Sequence, residues 1–139
     1  MTSSRQVIHA LGYAGLLPFV APAIALALDI DHALLSLAVV NAYAFGIVCF
    51  LCGSWWGLAL QQGHRAALVL SNALLLIAFF VFALANEWWP LGACLLLLAL
   101  FAIEQGGGIA TFACGAYRRM RAVLTLVAAG SMLAVHFAR

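Results

Sequence analysis

Residues 36–60 read SLAVVNAYAFGIVCFLCGSWWGLAL, twenty-five positions without a charged side chain. A helix rises about 1.5 Å per residue, and roughly 17 to 25 mostly apolar residues cross a hydrocarbon core of about 30 Å, so this stretch has the length and character of a membrane span. Four further apolar stretches surround it: Val7 to Leu28, Ala66 to Ala85, Trp88 to Ile103 and Met120 to Phe137. The last two sit at the short end of the range. In lipid the backbone must satisfy its own polar groups, which leaves helices or a closed barrel, and the long Leu/Ala runs lack a barrel's alternation. The sequence therefore predicts an all-α, polytopic integral membrane bundle of five transmembrane helices. A single domain covers residues 1–139, with no linker, low-complexity tail or internal repeat.

Composition points the same way. With 68% apolar and 7% charged residues, the chain has too little polar surface to disperse in water as a domain of this size. Arg5 ahead of an apolar core and the small residues of Ala21-Pro-Ala-Ile-Ala-Leu-Ala27 resemble a signal peptide, but the segment is expected to stay as the first helix. Pro18 and Pro22 each remove a helical N–H, which predicts a kink or broken turn in its second half. Gly12 and Gly15 would let a neighbour come close there.

The arginines set an expected orientation. Five crossings from a cytoplasmic N-terminus put Arg5, Arg65, Arg118, Arg119 and Arg121 inside and leave Arg139 outside, with the C-terminus. Asp29, Asp31 and Glu87 then face outward, and Trp88 and Trp89 suit an outer interface anchor. Trp55 and Trp56 fall near the inner end of the second span. Arg118, Arg119 and Arg121 read first as a topology signal, with recruitment of anionic lipid as the alternative. The net charge of +2 reflects this loop bias and implies no nucleic-acid partner.

Within the second span Ala42, Gly46, Cys49, Gly53 and Gly57 recur at spacings of four, three, four and four, which puts only small residues along one helical face. Gly53-Ser-Trp-Trp-Gly57 is a GxxxG, a pattern that lets helix backbones approach closely in lipid. Packing inside one bundle is the first expectation for this face, and a subunit interface is the second.

Tyr43, Phe50, Gly53, Trp56, Gly57 and Leu58 in this span resemble the Phe-x-Gly-Gly-x-x-Trp-Gly helix of the domain of unknown function 3429 family. Leu11-Gly12-Tyr13-Ala14-Gly15-Leu16-Leu17-Pro18-Phe19 is similar to that family's opening, and Tyr117-Arg118-x-x-Arg121-x-x-Leu124-Thr125 to its closing motif. The three motifs follow the family's order over most of the chain. This chain departs from the pattern at three places: Trp55 stands where a His is common, Cys52 replaces a Gly, and Glu104 takes the place of an Asp. The departure from His at Trp55 speaks against a proton or ligand role for this helix. The resemblance implies a small helical membrane protein of bacteria and mitochondria and supplies no reaction.

Little in the chain points to chemistry. Cys49 and Cys52 form a Cys-x-x-Cys, but they lie inside an apolar helix without a basic neighbour or a redox-active turn, so they read as buried structural thiols. Cys94 and Cys114 lie at other depths, and the four cysteines suggest neither a zinc site nor a disulfide framework. A haem between two histidines needs a pair well inside the spans. His9 and His64 fall near one side and His32 and His136 near the other, at helix ends or in loops. No cofactor or metal is therefore expected, and no catalytic set can be assembled at one depth, which makes an enzyme the least supported class.

Glu104 is the polar residue that stands out. Either the fourth helix ends near Ile103 and leaves Glu104 in the inner headgroup region, or it continues and buries a carboxylate that Arg118 or Arg121 would have to pair. Gly106-Gly107-Gly108 makes a poor helix interior and favours the first. Asn41, Ser54, Ser71, Asn72 and Thr125 are expected to join neighbouring helices by hydrogen bonds. The whole reads as a multi-pass protein of the cytoplasmic membrane, surrounded by lipid and other membrane subunits, that packs, assembles or stabilises a larger complex. A small homo-oligomeric channel or transporter is the alternative.

Overall fold

The computed structural model describes residues 4–28, 33–106 and 115–138. The helices are α1 (Ser4–Ala14), α2 (Leu17–Ala27), α3 (Ala33–Gln62), α4 (Arg65–Leu84), α5 (Trp89–Gln105) and α6 (Gly115–Phe137), with a short 3₁₀ turn at Asn86–Trp88. Five helical segments are long and apolar enough to cross a membrane: Gln6–Ala25, Leu37–Gln62, Arg65–Leu84, Asn86–Gln105 and Arg118–Phe137. The last two are longer than their apolar runs. The 3₁₀ turn extends one at its start, Glu104 lies within α5, and Arg118 and Arg119 lie within α6 ahead of the expected stretch.

The first span is broken between α1 and α2, and Pro18 explains how. Lacking an N–H, it cannot continue the α-helical ladder, and the next donor, Phe19 N–H, bonds Leu16 O at 3.0 Å. Gly15 O thereby loses its usual partner. Tyr43 Oη from α3 donates to it at 3.0 Å, and the Phe19 ring meets the Tyr43 ring edge-on at 5.2 Å. The break lies just before Pro18, and Pro22 is carried inside α2.

At the other sharp turn, Gly63 adopts φ +69°, a left-handed conformation that glycine accepts without a Cβ clash. His64 N–H reaches back to Ala59 O at 3.0 Å, closing α3 in a Schellman arrangement and sending α4 back antiparallel. Pro90, in the first turn of α5, occupies a position where no intrahelical N–H is needed.

In space the helices follow chain order: α2 packs on α3, α3 on α4, α4 on α5 and α5 on α6, while α6 closes the bundle against α1 and α2. Helices α3 and α5 also touch across the middle. The core draws on Val40, Ala44, Val48, Leu51, Cys52 and Trp55 of α3, Leu96, Leu97 and Leu100 of α5, and Met132 and Val135 of α6. Two glycines permit close approach. A Cβ at Gly12 would meet Met120 Sδ at 3.0 Å, and one at Gly92 would meet Val81 Cγ1 at 2.9 Å.

Both tryptophan pairs are split between core and surface. Trp89 is fully buried, donates from Nε1 to Asn41 O at 3.0 Å, and packs edge-on against Phe45 and Phe82, while Trp88 is 60% exposed. Only Trp88 thus keeps the exposure expected of an interface anchor. Adjacent helical positions point about 100° apart, so a pair at the start of a packed helix cannot both face out.

Candidate functional site: a buried ion pair joining three helices

The ends of α3 and α5 and the start of α6 lie at the same end of the bundle, because α3 and α5 run one way and α4 the other. Three side chains converge there. Glu104 is the next-to-last residue of α5, Arg121 lies about two turns into α6, and Trp55 lies about two turns before the end of α3. Arg121 Nη2 donates to Glu104 Oε1 at 2.7 Å and Arg121 Nε to Oε2 at 3.1 Å. The planar guanidinium fork thus grips both carboxylate oxygens, the strongest geometry open to this pair. Trp55 Nε1 adds a third donor to Oε1 at 3.0 Å.

The cluster is largely covered by the bundle. The side chains of Arg121 and Glu104 keep 12% and 7% of their exposure, and Trp55 keeps 1%. The cover given to Glu104 by its neighbours goes beyond the expectation, which placed it at the inner end of its helix near the α6 arginines. The helix does end where the glycines suggested, with Gly106 N–H closing on Ala102 O and Ile103 O, but α3 and α6 cover the acid. Arg118 bonds the neutral Gln105 Oε1 instead, at 2.5 Å, and is exposed, as is Arg119.

An indole N–H can only donate, so Trp55 stabilises Glu104 as an acceptor. Desolvating two charges costs several kcal/mol each, which the fork geometry and the extra hydrogen bond offset. The arrangement ties α3, α5 and α6 together and cancels two charges that lipid would exclude.

The small-residue row of α3 lies elsewhere. Ala42, Gly46, Gly53 and Gly57 are exposed and Cys49 is half-buried, and a Cβ built at Gly46, Gly53 or Gly57 meets no described atom within 4 Å. The expected packing of this row inside the bundle is therefore not found among the described residues. The opposite face, from Val40 through Ala44 and Val48 to Trp55 and Ala59, is the one turned inward. A two-residue offset is about 200° around a helix, and the anchoring bonds of Tyr43 and Trp55 fix which side looks in.

The other polar residues are scattered. Cys52 and Cys94 are buried free thiols, and Cys114 lies outside the described residues. His64 is exposed at the α3–α4 turn, His9 stacks on Tyr13, His136 packs on Trp88 and Phe137, and His32 lies outside the described residues. Ser54 donates to Phe50 O, and Ser71 and Asn72 to Leu68 O, so these groups bond within their own helices instead of bridging neighbours.

A family model described as Protein of unknown function (DUF3429) matches residues 4–137. The chain belongs to that family. No curated protein and no solved structure matches it. Trp55 and Glu104, which lie on different helices, are in hydrogen-bond contact with each other. The sequence drew attention to each of them separately, and the fold shows that they form one pair.

Proposed function

We propose that this chain is a non-catalytic accessory subunit of the cytoplasmic membrane that packs against other membrane subunits and stabilises a larger complex. The observation that carries this reading is the open row on α3. Its glycines present bare backbone over about three helical turns, and no described part of the chain covers them. In lipid there is no hydrophobic force to bring helices together, so close backbone approach and dispersion decide association, and such a row favours it. The buried ion pair supports the same reading as an internal tie that holds α3 in the rotation leaving the row outside.

A second reading, a small homo-oligomeric channel or transporter, draws on that ion pair, since ionisable residues inside spans often mark transport paths. In this chain both carboxylate oxygens of Glu104 already accept from a donor. Affinity purification of the tagged chain in mild detergent, followed by mass spectrometry, separates the two. Unlike membrane subunits at fixed stoichiometry support the accessory role, and a symmetric assembly of this chain alone overturns it in favour of the second reading.

A further inference from the structure

We propose that Arg118 and Arg119 hold the phosphate of an anionic phospholipid whose acyl chains lie along the outer face of α6. The inference starts from a charge count. The chain has four acidic residues. Asp29 and Asp31 fall in sequence between α2 and α3, outside the described residues, and Glu87 lies in the 3₁₀ turn between α4 and α5, at the end of the bundle opposite the start of α6. The fourth, Glu104, is taken up by Arg121. Among the described residues no carboxylate is left at that end beside the two exposed guanidiniums, and Gln105, which accepts from Arg118, is neutral. An anion at the membrane surface can therefore reach both of them.

The surface next to them decides which anion fits. Arg119, Val123, Leu126, Gly130, Leu133 and Phe137 are all exposed and follow one another at spacings of four, three, four, three and four along α6. One face of the helix thus carries a cation at its first turns and then only apolar surface for the depth of the membrane. A phosphate with acyl chains matches both parts, whereas free phosphate uses only the first. Arg118 lies one turn nearer the helix start than the buried Arg121, which sets the pair at the rim of the bundle where headgroups lie. The inference is independent of the orientation of the chain and of its role in a complex.

The test reconstitutes the full chain in nanodiscs of phosphatidylcholine with a minority of phosphatidylglycerol and reads the retained lipids by native mass spectrometry. The wild type is expected to retain phosphatidylglycerol in preference to phosphatidylcholine, with the preference falling about fivefold for each arginine replaced by glutamine. Arg118→Lys/Arg119→Lys should keep it, and Arg65→Gln, at the start of α4, should leave it unchanged. Arg119→Gln alone removes no bond described within the chain, so its effect is readable even if the double variant folds poorly. An unchanged preference in Arg119→Gln and in a folded Arg118→Gln/Arg119→Gln overturns the site, and so does an equal loss in Arg65→Gln. Loss of the wild-type preference on adding inorganic phosphate at matched ionic strength would identify free phosphate as the occupant and overturn the lipid.

Discussion

Glu104 accepts three hydrogen bonds on two oxygens inside a bundle that faces lipid, and the balance of that site turns on charge more than on bond number. Glu104→Gln preserves size and leaves an oxygen for Trp55, but strands the Arg121 cation at 12% exposure. Breaking a buried pair from one side costs about 3 to 5 kcal/mol, while removing both charges is close to neutral. Unfolding in mixed detergent micelles should therefore show Glu104→Gln strongly destabilised and Glu104→Gln/Arg121→Met recovering most of the loss. Equal destabilisation of the single and double variants would mean that the pair contributes through shape and not charge. That Glu104 would meet one of the α6 arginines was legible from the sequence, but its burial was not. Depth depends on which neighbouring helices cover a residue, and the glycines after Glu104 report only where its own helix stops.

At the scale of helices, the two glycine-bearing faces make opposite predictions. Gly12 sits against Met120 and Leu124, so Gly12→Leu must push α1 away from α6 at an overpacking cost of about 1 to 3 kcal/mol. Gly53→Leu meets open space in the isolated chain and should leave its thermal stability within about 0.5 kcal/mol. Comparable losses in thermal melts of both purified variants would show that α3 is rotated from the position described. The number of spans and the presence of a break in the first could be read from the sequence, because run length and proline chemistry act locally, but the break falls between Ala14 and Leu17, earlier than the expected second half. The inward face of α3 could not. In a soluble helix polar residues mark the outside, whereas both faces of α3 are apolar and its small residues suit internal and external packing equally.

For the whole molecule, the arginine bias predicts a direction across the membrane. In a cysteine-free background, Glu87→Cys should react with an impermeant thiol reagent on intact cells and Gln62→Cys should not; the reverse labelling would turn the bundle over. The ion pair, the Tyr43 anchor and the closure of α6 on α1 and α2 together describe a bundle tied from within, which leaves the small-residue face of α3 to whatever binds outside. The most direct test of that account is blue native electrophoresis of membranes carrying wild-type or Gly53→Leu chain, solubilised in mild detergent. We expect the wild type to migrate in a larger complex and Gly53→Leu to accumulate as a folded, free chain. A complex of unchanged size and amount with Gly53→Leu would show that this face meets lipid alone and would contradict the account.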